Sequence, residues 1–165
     1  MISSSARLQP WIELLRWNKP TGRLILLIPA GWALWLNPSA PPSFVLTLQI
    51  LLGGLAVSGA GCIANDLWDQ GFDGQVERTQ HRPLARGALQ RGPAFAFLLI
   101  LLGLSLAVVL SLPAASLRLC LALACTAVLP ILGYPSAKRW FAFPQVILAL
   151  CWGFAVLIPW AAATA

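Results

Sequence analysis

The sequence predicts an all-α protein, a multi-spanning transmembrane helical bundle with about five spans in these 165 residues. Three observations carry that expectation. Hydrophobic residues make up 59% of the chain and charged ones only 10%, against about 25% charged in a soluble domain. A soluble core cannot hide so much apolar surface, so a bilayer has to act as solvent for most of it. The apolar residues also gather into segments near the roughly 20 residues that cross a hydrocarbon core. Finally, the basic residues sit between those segments in a pattern that assigns sides.

Along the chain, residues 1–10 lack the early apolar run of a cleavable signal peptide. Residues 11–20, with Trp11, Arg16, Trp17 and Lys19, are amphipathic and are expected to lie as a helix in the membrane interface. Five apolar segments follow, at residues 22–36, 43–64, 92–112, 117–134 and 143–165. The first is short for a span, which implies a tilt or an extension into residues 11–20. Between the spans are expected irregular pieces at residues 37–42, 65–91, 112–116 and 135–142. Pro20, Pro93, Pro113 and Pro135 are expected to break or open segments. Trp17, Trp140 and Trp160 sit near span ends, as interfacial anchors do. The closing residues, 157–165, are still apolar, an ending expected of a fragment.

Ten of the 11 Lys and Arg residues fall into three groups: Arg7, Arg16, Lys19 and Arg23; Arg78, Arg82, Arg86 and Arg91; Lys138 and Arg139. Counting spans puts all three on one side of the membrane. The positive-inside rule then places the N-terminus and the 65–91 stretch in the cytoplasm; a bacterial inner membrane is the expected location, which the charge pattern does not itself identify. The formal charge of +6 is therefore a topology signal. Nucleic-acid binding is a poor reading, because the basic groups border apolar spans. Cys62, Cys120, Cys125 and Cys151 lie within spans without CxxC spacing and read as small buried packing residues.

Four of the five acidic residues lie within twelve positions: Asp66, Asp69, Asp73 and Glu77. Their spacing of i, i+3, i+7 and i+11 is one face of a helix, and Asn65, Asp69 and Asp73 form an i, i+4, i+8 row beside it. Adjacent carboxylates at a membrane boundary repel unless something positive lies between them. A hard divalent cation such as Mg²⁺ takes oxygen ligands and retains affinity for phosphate oxygens. The alternative is that Arg78, Arg82 and Arg86 pair with the acids in a solvated loop. A nearly acid-free membrane protein that concentrates its carboxylates on one helical face favours Mg²⁺ and a diphosphate, with Lys or Arg taking the remaining charge. A greasy bundle around such a site suits a diphosphate with a long apolar tail.

The pattern Asn65-Asp-x-x-Asp-x-x-x-Asp73, continued by Phe72-Asp73-Gly74, Arg78-Thr79, Arg82-Pro83-Leu84 and Gly87, resembles the first aspartate-rich motif of the UbiA superfamily of membrane prenyltransferases. It is most similar to the 4-hydroxybenzoate polyprenyltransferase branch. Arg16-x-x-Lys19-Pro20-x-Gly22 resembles that branch's entry to its first helix, and Tyr134-Pro135-x-x-Lys138-Arg139 with Pro144-Gln145 and Gly153 its loop before the fifth. The resemblance implies nine helices and a second aspartate motif in a later cytoplasmic loop. This sequence has no acid after Glu77. Residues 1–165 are thus expected to form the N-terminal part of one transmembrane prenyltransferase domain, truncated and inactive alone.

The resemblance implies Mg²⁺-dependent transfer of a polyprenyl group from polyprenyl diphosphate to the ring of 4-hydroxybenzoate, in quinone biosynthesis of the ubiquinone or plastoquinone type. Asn65, Asp66, Asp69 and Asp73 are then the expected metal-side residues. Lys138 and Arg78 are expected at the diphosphate, Arg139 at the acceptor carboxylate, and Tyr134 beside Lys138 or shielding the cation. His81 reads as a solvated loop residue. Two other readings stand beside this one: a prenyltransferase for another acceptor (homogentisate, dihydroxynaphthoate, a chlorophyll precursor or haem), and a non-catalytic membrane fragment.

Overall fold

The computed structural model describes residues 4–19 and 21–164; the expected break at Pro20 and the last residue of the fifth expected segment, Ala165, lie outside them. Among the described residues six helices follow one another: α1 (Ser4–Leu14), α2 (Thr21–Trp35), α3 (Phe44–Asp73), α4 (Arg91–Leu110), α5 (Ala114–Ala137) and α6 (Pro144–Ala163). Helices α3 to α6 are each long and apolar enough to cross a membrane. The chain is an integral membrane protein. Helix α2 has 15 residues, about 22 Å, short of a hydrocarbon core of about 30 Å.

The N-terminal helix departs from expectation. It occupies Ser4–Leu14, so residues 15–19 form a turn and not the second half of an interfacial helix. The chain leaves α1 through paired bonds, from the amide of Trp17 to the carbonyl of Ile12 and from that of Arg16 to Glu13, both 2.9 Å. That is a Schellman ending, whose left-handed residue is normally glycine. Here it is Arg16, at φ 57°. No glycine marks the stop, so residue type alone did not reveal it. Trp11, expected at the interface, packs edge-on to Phe97 with ring centres 5.5 Å apart.

Helix α3 is the spine, 30 residues or about 45 Å long. Its N-cap Ser43 accepts from the Leu46 amide at 3.1 Å, as a capping hydroxyl does. The apolar part is long enough for a span. About two and a half further turns carry Asn65 to Asp73 beyond it, so the first part of the expected irregular stretch is helical. Helix α4 packs along α3, α5 along α6, and α2 along α6. Close approach relies on small residues: a Cβ on Gly59 would lie 2.9 Å from Leu101 Cδ1 and 3.1 Å from Leu15 Cδ2.

Two apolar cores close the ends of the bundle. One joins Leu14, Ile63, Leu67, Leu84 and Leu98; the other joins Leu34, Leu46, Val109, Leu112 and Cys120. Beside the second, buried Asn37 donates to the Trp160 carbonyl and accepts from the Ser39 amide. Pro113 caps α5 and Pro93 sits in the first turn of α4, as expected, but Pro135 does not break its segment. It is buried inside α5, which runs on to Ala137. Membrane helices tolerate such a proline where neighbouring groups satisfy the freed backbone. The cysteines are free and unequal: Cys120 is buried, Cys62 and Cys151 half-buried, and Cys125 exposed, so the expectation of uniform burial fails.

Candidate functional site

The last turns of α3 present Asn65, Asp66, Asp69 and Asp73 to cations from three other parts of the chain. Asp66 is 1% exposed. Its Oδ1 accepts from Arg16 Nη2 at 2.7 Å and lies 3.3 Å from Arg82 Nη1. The same Arg82 nitrogen donates to Asp73 Oδ2 at 2.7 Å and comes within 3.9 Å of Asp69 Oδ2. Lys138, the C-cap of α5, donates through Nζ to Asn65 Oδ1 and lies 3.3 Å from Asp69 Oδ2. Arg139 Nη2 reaches Asp69 Oδ1 at 3.4 Å. The Thr79 hydroxyl donates to the Asp73 carbonyl at 3.1 Å, which ties the following loop to the helix end.

These contacts bring the three basic groups to one end of the bundle. Cationic nitrogens stand between the acceptor oxygens, as the repulsion among them requires. The arrangement answers part of the sequence alternative: Arg82 pairs with the acidic row, whereas Arg86 pairs with Glu13 at 2.6 Å. Arg78 instead lines the mouth of a cavity.

That cavity has a volume of about 1050 Å³ and is walled by α2 to α6. Its charged end holds Arg16, Asn65, Arg78, Arg82, Tyr134 and Lys138. The rest is largely aliphatic, reaching Gln49 and Leu112 at the opposite end. From Gln49 to Asn65 along α3 is about 24 Å. The space therefore has one polar end and a long apolar body. Five cations, Arg16, Arg78, Arg82, Lys138 and Arg139, surround three carboxylates at that end, leaving a net positive field for an anion.

The other expected site residues divide. The Tyr134 ring lies under Lys138 Nζ, 4.9 Å from it, and so orients the ammonium. Arg139 donates to the Trp68 carbonyl at 2.9 Å, stacks over Phe72 at 4.3 Å and does not line the cavity. His81 is exposed on the loop. Among the described residues, no three His, Cys, Asp or Glu side chains gather closely enough to hold a metal ion. The donors of the Asn65 row are all hard oxygens. That fits Mg²⁺, which is commonly held by one or two carboxylates and completed by water and substrate phosphate. Sequence reasoning gave Arg16 no part at the site, and gave Arg82 only that of a pairing partner for the acids in the loop alternative.

A helical bundle of membrane-spanning length that encloses a long apolar cavity with a carboxylate-and-cation mouth defines a membrane protein with an internal cavity polar at one end. The chain belongs to the UbiA prenyltransferase family, whose pattern matches residues 26–165. It is 51% identical over 155 residues to the 4-hydroxybenzoate solanesyltransferase of Synechocystis sp., covering 93% of this chain and 51% of that protein. It is 41% identical over 152 residues to the 4-hydroxybenzoate octaprenyltransferase of Edwardsiella ictaluri, covering 92% of this chain and 52% of that protein. The chain thus spans about half the length of the relatives it matches. In fold it is similar to a UbiA homologue from Archaeoglobus fulgidus bound to GPP and Mg²⁺, with a TM-score of 0.78 at 20% identity over 94% of this chain and 54% of that one.

Proposed function

We propose that this chain is the N-terminal part of a 4-hydroxybenzoate polyprenyltransferase domain and supplies the donor-binding half of its site. The observation that carries the reading is the join between the Asn65–Asp69–Asp73 row and the apolar cavity. A diphosphate would rest at the charged end and its polyprenyl tail along the body. The likeness to the Synechocystis and Edwardsiella enzymes favours 4-hydroxybenzoate over homogentisate, dihydroxynaphthoate or haem.

Asn65, Asp69 and Asp73 would hold Mg²⁺, whose chemistry is to neutralise the charge of a departing diphosphate. Lys138, oriented by Tyr134, and Arg78 would bind diphosphate oxygens directly. The allylic C–O bond breaks, both electrons leave with the diphosphate, and an allylic cation remains. The ring carbon ortho to the acceptor hydroxyl forms the new C–C bond and then loses its proton. The aliphatic walls keep water from the cation, and the cationic mouth stabilises the leaving group. Asp66 takes a different part in this reading: it is buried beneath Arg16 and Arg82 and fixes their positions.

The test is an assay of the intact protein that carries this segment, with a polyprenyl diphosphate, 4-hydroxybenzoate and Mg²⁺. Prenylated 4-hydroxybenzoate that disappears with chelator is expected. Product with homogentisate or dihydroxynaphthoate alone would move the acceptor assignment. No product with any phenol would return the chain to the non-catalytic reading.

The charged end would face the cytoplasm, since all three basic groups meet there. An introduced cysteine at Gln75, in a variant lacking the native cysteines, is expected to resist an impermeant thiol reagent in intact cells. It should react in inverted vesicles. Labelling from outside intact cells would reverse the topology.

A further inference from the structure

Arg23 stands near the start of α2 and is 5% exposed. Its guanidinium carbon lies 3.9 Å from the centre of the Trp17 ring. Its Nε and Nη1 are buried and meet no hydrogen-bond acceptor among the described residues. The ring face attracts the charge but does not replace the oxygen acceptors that a guanidinium's N–H groups ordinarily find. A buried charge with unsatisfied donors is costly and calls for a reason. The nearby cations differ: Arg16, Arg82, Lys138 and Arg139 each hold a carboxylate.

Helix geometry gives the position. Arg23, Leu27 and Ala30 follow i, i+4, i+7, so they share one face of α2. Leu27 and Ala30 line the cavity, as does Gly22 beside Arg23. Arg23 thus lies one turn beyond the cavity-facing stripe, beside the cavity and outside its lining, on α2, whereas α5 carries Lys138. Trp17 covers it from the turn that follows α1, where Arg16 holds the left-handed conformation. That indole is 52% exposed, so a ring swing would uncover the guanidinium without unpacking a helix.

A guanidinium that still has donors to give, next to an indole face, matches an aromatic acid: carboxylate on the N–H groups, ring against the indole. Arg139, the sequence-based candidate for this part, already donates to the Trp68 carbonyl and Asp69. We infer that Arg23, beneath Trp17, anchors the carboxylate of the aromatic acceptor; this rests on the reading of the chain as part of an aromatic prenyltransferase. Arg23 is a binding residue in this scheme, and Trp17 its cover.

The experiment measures equilibrium binding of radiolabelled 4-hydroxybenzoate to the intact protein in detergent, with benzoate and 4-hydroxybenzamide as competitors. Arg23→Met is expected to weaken 4-hydroxybenzoate binding at least tenfold, and Arg23→Lys less. Benzoate should compete in the native protein and 4-hydroxybenzamide only weakly. In turnover, Arg23→Met should raise the KM for 4-hydroxybenzoate and leave the KM for the polyprenyl diphosphate unchanged. Circular dichroism and gel filtration of Arg23→Lys check the fold. Unchanged affinity in Arg23→Met, equal competition by the amide, or no binding of 4-hydroxybenzoate to the native protein would each overturn the inference. So would a loss confined to phosphatidylglycerol binding in nanodiscs, which would assign the guanidinium to a lipid phosphate. Asp69-dependent prenylation of a neutral phenol by a protein that binds no carboxylate would leave the transferase reading intact while this one fell.

Discussion

Asp69→Ala in the intact protein is expected to cut prenyl transfer about a thousandfold, equivalent to about 4 kcal/mol of barrier, while the protein still inserts and folds. Asp69 is the acid at which the surrounding cations converge: Lys138 at 3.3 Å, Arg139 at 3.4 Å and Arg82 at 3.9 Å. It is also the middle of the oxygen row between Asn65 and Asp73. Removing it leaves two donors too far apart along the helix to substitute for it, with no other acid after Glu77 in the sequence. The structural cost is small by comparison. Lys138 keeps Asn65 and Arg139 keeps the Trp68 carbonyl. Both side chains are a third or more exposed, so the lost pairs should change stability by under about 1 kcal/mol. Steady-state rates across a Mg²⁺ titration, beside a melting curve, separate the two effects. Near-native turnover at any Mg²⁺ concentration would remove Asp69 from the metal-side set.

What the sequence revealed of this site follows from what is local. The span positions are legible because each apolar run must satisfy the bilayer by itself, and all five begin within a few residues of α2 to α6, although α3 runs well past the end of the second segment. The Asn65-to-Asp73 row is legible because helical period alone puts those side chains on one face. Partners across helices are a different matter. Arg16 meets Asp66 fifty positions away, and only the packing of α1 against α3 brings them together. Arg78, Arg82 and Arg86 share one stretch and by spacing alone looked equivalent as partners for the acids; only the resemblance set Arg78 apart. The path of the loop sends Arg82 to the acids, Arg86 to Glu13 and Arg78 to the cavity. The end of α1 was hidden for a related reason. Its left-handed position falls on an arginine whose side chain is held by Asp66, so a tertiary contact does what a glycine would normally do locally. Pro135 misled because a proline's local effect is to stop a helix, whereas inside this bundle the helix continues.

Asp66→Ala should do the opposite of Asp69→Ala and strike the fold first. Asp66 is buried, and its carboxylate is the anion between Arg16 and Arg82. Deleting one partner of a buried ion pair leaves uncompensated charge and costs about 3–5 kcal/mol. Arg16 is one-third exposed and Arg82 retains Asp73, so about 3 kcal/mol, the lower end of that range, is expected. The consequences spread from the contact. Arg16 in its left-handed conformation would lose the bond that holds it, at a backbone cost of about 1 kcal/mol or more. The turn over Arg23 would loosen, and α1 would lose a tie to α3. The expected result is a clear drop in the detergent melting temperature and in yield, with Asp66→Asn intermediate because the amide oxygen can still accept from Arg16. Arg16→Met should reproduce part of the loss. A protein with Asp66→Ala that melts like the native one yet no longer turns over would place Asp66 among the metal-side oxygens, beside Asp69, and take from it the anchoring part.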